Sequence, residues 1–208
     1  MPKNSDMDKI IATASSALTK REELLKIISE KDELLMKIEK REFNEEELVD
    51  LLDKSLILSK KLLTYGIGED ALYLLSNIVA LSHKFGVKEL FEKAHEEIKK
   101  ILKVLINEAL NWNNFDQAIL FAIMIDILEN YAQTIDDKLD NLLLKVDENL
   151  ELAKKELVDI RNDITSLLLN LSSEAIEEIK NRLEKLEIKS NKIIKAIIKL
   201  LEGLSTNE

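Results

Sequence analysis

Cysteine is absent from all 208 residues of this chain, which removes disulfides, thiolate nucleophiles and Cys-based zinc or iron–sulfur sites. One proline and four glycines leave little material for hairpin turns or irregular loops. Aromatic residues are 4% of the sequence, so any core must be built from aliphatic side chains. There are only two histidines, His83 and His95, and neither stands beside a serine in a recognised nucleophile motif. Gly66-x-Gly68 lacks the remainder of either glycine-rich nucleotide fingerprint. No long apolar run is present. The longest, Ala118 to Ile125, is well short of the roughly 18 residues a membrane-spanning helix needs.

What remains is dominated by Leu, Ile, Lys and Glu, with 46% hydrophobic and 34% charged residues. That mixture belongs to long helices and coiled coils. The shortage of glutamine together with abundant Lys and Glu points towards a thermophilic source. The first twenty residues contain no apolar segment of the secretory kind, so a cytoplasmic location is expected. The net charge of −10 opposes a phosphate backbone, so nucleic acid is not expected as a partner unless a local basic patch exists.

Helix boundaries can be placed from caps and glycines. Residues 1–18 are polar and small, and a helix can begin at Asp6. Thr19 and Glu22 have capping-box spacing and are read as the start of a strong helix reaching Arg41. Asn44, followed by Glu45, Glu46 and Glu47, should cap a second helix ending near Tyr65. Gly66-Ile67-Gly68 is the clearest stop. A helix over 69–84 is apolar on nearly all sides and should be central. Gly86 ends it, and helices over 87–111 and 116–134 follow, separated by a turn at Asn111-Trp112-Asn113-Asn114.

Beyond residue 136, Val146, Leu150, Ala153, Leu157, Ile160, Ile164, Leu167 and Leu171 recur in steps of four and three. After Ser172-Ser173 the same alternation returns from Ile176 through Ser190 to Leu204. Two heptad seams around a tight connection predict a long antiparallel hairpin over 136–204, each arm on the order of 45–50 Å. The expected fold class is all-α, a multi-helix bundle of packed helical hairpins with a coiled-coil-like C-terminal hairpin. The expected divisions are an N-terminus over 1–18, a helical body over 19–135, the hairpin over 136–204 and a tail over 205–208.

The stretch Asn113-Asn114-Phe115-Asp116-Gln117-Ala118-Ile119 resembles the turn and second-helix start of a tetratricopeptide repeat. The sequence Glu69-Asp70-Ala71-Leu72 resembles it less closely. Such a resemblance implies stacked helical pairs over about 45–135. The chain departs from the pattern, because Ala71 and Ala118 are 47 apart and the family's period is about 34. Generic packed hairpins account for the same residues.

Two motifs carry possible chemistry. Glu92-x-x-His95 has metal-ligand spacing, but the second Glu-x-x-His of a di-metal bundle is missing. A solvated or boundary pair is therefore expected, with no metal and no cofactor. Asp126 lies within a strongly apolar run, yet on a helical wheel it shares a narrow face with Glu129, Asn130 and Gln133. An exposed polar edge is the reading taken. Ile119 and Ile123 on that edge suggest a partner there.

The last helix supplies the candidate interaction residues. Lys185, Lys189, Lys192, Lys195 and Lys199 form a stripe opposite an arm with nine acids and five bases. Ile193, Ile197 and Leu200 serve the heptad seam, whereas Ile194, Ile198 and Leu201 widen the apolar arc beyond one antiparallel neighbour. Large exposed apolar patches are uncommon on monomers. The functional expectation is a non-enzymatic scaffold or protein-interaction protein, self-associating as a homo-oligomer through Ile194, Ile198 and Leu201. The alternative is a structural protein at a membrane surface or on nucleic acid, using Lys185, Lys189, Lys192 and Lys199. A helical metal-binding oxidoreductase ranks third.

Overall fold

The computed structural model describes residues 4–40, 43–132, 137–167, 172–186 and 191–204. Among them the chain is all-helical, with nine α-helices and one 3-10 turn and no strand. It divides into two compact units, Met1–Ile67 and Gly68–Glu208. The boundary expected at 135/136 falls inside the second unit.

The first unit is a pair of helices, α1 (Asn4–Lys40) and α2 (Glu45–Thr64). Helix α1 starts far upstream of Thr19. The Thr19 hydroxyl caps nothing and instead donates to the Ser15 carbonyl one turn back, at 3.0 Å. A threonine in mid-helix can do this at little cost, so the Thr-x-x-Glu spacing misplaced the helix start. Asn44 does cap α2. Its side chain accepts from the Glu47 amide while the Glu47 carboxylate accepts from the Asn44 amide, at 2.9 and 3.1 Å. At the far end of the pair, the Tyr65 hydroxyl donates to Glu23 at 2.7 Å. Gly66, at φ +73°, ends α2 in the left-handed conformation that glycine adopts without strain.

The second unit contains α3 (Gly68–Lys84), α4 (Lys88–Asn111), α5 (Phe115–Ala132), α6 (Asp137–Asp147), a 3-10 turn (Leu150–Leu152), α7 (Lys155–Leu167), α8 (Ser173–Glu184) and α9 (Asn191–Leu204). Helix α3 is buried from Asp70 to Ala80, as its all-round apolarity requires. It packs against α4 and α9. Helix α5 touches α4, α6, α7 and α9, and Ala118 to Ile125 is wholly buried.

The two uninterrupted arms expected over 136–204 are not formed. The first is divided at Glu148–Lys154 between α6 and α7, and the second is interrupted after Glu184. The Asn149 side chain donates to the Lys145 carbonyl at 2.8 Å, closing α6. The Lys154 amide then donates to Asp116 at the start of α5, again at 2.8 Å, anchoring the turn to the core. The heptad spacing survives the break because α6 and α7 each direct their stripe at α5, burying Val146, Leu157, Ile160 and Ile164. Leu171 and Ser190 of the proposed seams lie outside the described residues. The connection at Ser172 does cap a helix, its hydroxyl accepting from the Ala175 amide at 3.2 Å, and α7 packs on α8.

Candidate functional site

In the second unit, side chains picked out from sequence are drawn inward. Ile194, Ile198 and Leu201 are 4%, 6% and 0% exposed. The arc expected to meet another chain is packed within its own, since α9 lies against α3, α5 and α8. Tyr131 of α5 donates to the Leu200 carbonyl at 2.6 Å. Gly203 permits this approach: a Cβ there would come within 2.7 Å of the Ala80 backbone and would also meet the Tyr131 hydroxyl.

The lysine stripe is partly committed to internal pairs. Lys192 donates to the buried Asp70 carboxylate, joining α9 to the first turn of α3. Lys199 pairs with Glu202 at 2.9 Å. Lys185, at the C-cap of α8, and Lys195 are exposed. Lys189 lies outside the described residues.

Glu92 and His95 do not converge. Glu92 is exposed and faces Lys88 at 3.8 Å. His95 is buried, correcting the boundary position expected for it, and its Nε2 is 2.9 Å from the Leu128 carbonyl. Its ring stacks on Phe91, with centroids 5.4 Å apart, and Phe91 in turn lies near His83 and Tyr131. Both histidines therefore belong to an aromatic cluster shared by α3, α4 and α5. Burial holds the His95 imidazole below its ordinary pKa, with the Leu128 carbonyl opposing the shift. Among the described residues no group of three or more His, Cys, Asp or Glu could hold a metal ion.

Asp126 is not an exposed edge. It accepts from Arg161 Nε at 2.8 Å, and both side chains are about nine-tenths buried. Arg161 also reaches Asp147 at the end of α6. The acid, the base and the second acid thus tie α5, α7 and α6 together. Burial raises the Asp126 pKa, opposed by the Arg161 hydrogen bond and charge. For Arg161 burial acts downward, but its two carboxylate partners carry the pKa upward. Ile119 and Ile123, read as a partner edge, are core.

Exposed large apolar side chains occur in both units: Phe85, Val104, Trp112, Leu144 and Leu152 in the second, and Leu18, Leu25, Met36, Val49 and Ile57 in the first. Leu18, Leu25 and Met36 are exposed, and spacings of seven and eleven put all three on one side of α1. Ile27, Lys31 and Ile38 are buried on the other side. Between α1 and α2 runs a groove of about 510 Å³. Its apolar lining comes from Leu34, Phe43, Leu51, Leu58 and Ile57, and Ile57 remains 50% exposed. Glu30, Glu33 and Lys37 edge it on α1, and Glu47, Asp50, Lys54 and Lys61 on α2. The groove is not legible in the sequence, because its lining is set by how α1 and α2 pack on each other.

No family model matches the chain, and neither a curated protein nor a solved structure does.

Proposed function

We propose that the chain is a non-enzymatic helical interaction protein, and that its partner surface lies on the first unit rather than on α9. The observation that carries this is the groove between α1 and α2, where Ile57 stays 50% exposed beside an apolar lining edged with charge. Helices α3, α5 and α9 bury nearly every comparable side chain, while Val104, Trp112, Leu144 and Leu152 elsewhere in the second unit are exposed without lining that groove. Helix-on-helix recognition is the mechanism, with apolar side chains giving affinity and the charged groove edges giving register.

A photo-crosslinking residue placed at Ile57 in the full chain tests the reading. Covalent protein adducts should form there in the native host and be absent with the same residue at exposed Val104 of α4. Adducts at Val104 alone would remove the proposal. The alternative, binding of an anionic surface by the C-terminal lysines, rests on exposed Lys185 and Lys195. It is disfavoured by the pairing of Lys192 and Lys199. Salt-sensitive binding to anionic liposomes would restore it.

A further inference from the structure

The charged edges of the α1–α2 groove are arranged in quadrants. The helices run antiparallel, joined near residues 41–44, so the groove has a turn half and a far half. In the turn half α1 contributes Lys37, while α2 contributes Glu47 and Asp50. In the far half the signs exchange: α1 contributes Glu30 and Glu33, while α2 contributes Lys54 and Lys61. Like signs therefore lie on diagonals.

That pattern has a specific consequence. A two-fold axis parallel to the helices lays α1 of one copy on α2 of the other, end matching end. Lys37 then faces Glu47 and Asp50, and Glu30 with Glu33 faces Lys54 and Lys61. A two-fold axis across the helices lays α1 on α1 and α2 on α2 with the ends exchanged. Lys37 then faces Glu30 and Glu33, and Lys61 with Lys54 faces Glu47 and Asp50. Both face-to-face arrangements bring every quadrant over the opposite charge. A foreign helix bearing one dominant sign would meet repulsion along half of each edge.

We infer that the α1–α2 groove is the contact face of a homodimer, occupied by the same groove of a second copy of this chain. The inference rests on the proposed interaction role and names its partner. An isologous contact requires a self-complementary surface, and two-fold dimers are the commonest closed assembly. The apolar strip Leu34, Leu51, Ile57 and Leu58 runs between the charged edges, where four helices would share one core. The edge charges are free to exchange partners. Lys37–Glu33 and Lys54–Asp50 are i,i+4 pairs with side chains about half or more exposed, and such pairs contribute little.

Sedimentation of two charge-segregated variants tests the pairing. The first carries Lys37→Glu, Lys54→Glu and Lys61→Glu. The second carries Glu30→Lys, Glu33→Lys and Asp50→Lys, leaving Glu47 to cap α2. The parent should sediment as a dimer, each variant alone as a monomer, and their equimolar mixture as a one-to-one pair, whichever two-fold operates. Helical content measured on each variant separates lost pairing from lost folding. A single Ile57→Lys change, at a half-exposed position, should weaken dimerisation by at least about tenfold. A parent that stays at 23.8 kDa at high concentration overturns the homodimer. So does self-association undiminished in both charge variants. If the parent is monomeric yet Ile57 crosslinks to a different protein, the homodimer fails while the interaction reading stands. Absence of adducts at Ile57 removes both.

Discussion

The two units of this chain use aliphatic side chains differently. In Gly68–Glu208, α3 and α5 are surrounded, α9 lies against three other helices, and even polar groups are drawn into pairs such as Asp126–Arg161. In Met1–Ile67 a 37-residue helix has one partner of 20 residues. A helix with a single neighbour can hide one stripe, and α1 carries two. The comparison teaches that apolar width on a helix means nothing until its neighbours are counted. The arc on α9 is broad because it serves several helices within the chain, whereas the stripe on α1 is broad with no such set of neighbours in its unit.

The largest expected effect contrasts core truncations. Phe121→Ala in α5 should lower unfolding stability by about 3–5 kcal/mol, while Leu25→Ala should stay within about 0.5 kcal/mol. Denaturant melts of both variants check this, and equal losses would erase the distinction between the units. Arg161→Ala strands the buried Asp126 carboxylate and should cost about 3 kcal/mol. Adding Asp126→Asn should recover part of that loss, which a double-mutant cycle would register. Gly203→Ala pushes a methyl group into Ala80 and the Tyr131 hydroxyl, for a loss of about 1–3 kcal/mol by thermal melt.

Smaller effects sharpen the local account. Asn44→Ala removes the α2 cap and should cost about 1 kcal/mol. The smallest concerns acidity. The His95 pKa is lower in the folded chain than the ordinary 6.5, so the unfolded chain takes up the proton first as pH falls. Stability from the neutral ring is complete above about 6.5 and declines below it, towards the lowered native value. Asp126, raised in the fold, acts oppositely at lower pH, gaining stability as it is protonated between its native value and 3.8. Comparison with His95→Gln across pH 7 to 5 isolates the first effect, and parallel curves would contradict it.

Much of the helix punctuation could be read from residues with a local physical role. Asn44 with Glu47, Gly66, Gly86 and Ser172 mark ends because each satisfies or redirects backbone within a few positions. The breaks over 136–204 could not be read in the same way. The turn after Asp147 contains neither proline nor glycine, and its anchor, Asp116, lies 38 residues before Lys154. Asp126 and His95 were misplaced for the same reason, since their partners Arg161 and Leu128 are 35 and 33 residues away. A helical wheel shows which residues share a face, but not what that face meets.

One thermal-unfolding comparison tests the central claim, that the arc on α9 is internal core and the exposed apolar side chains of α1 and α2 are not. Two full-length triple variants are melted side by side: Ile194→Lys with Ile198→Lys and Leu201→Lys, and Leu18→Lys with Leu25→Lys and Ile57→Lys. The α9 variant should lose its cooperative transition or melt far below the parent. The α1–α2 variant should keep the intrinsic melting point of the monomer and its helical signal. An α9 variant that melts like the parent, alongside an α1–α2 variant that fails to fold, would contradict the account.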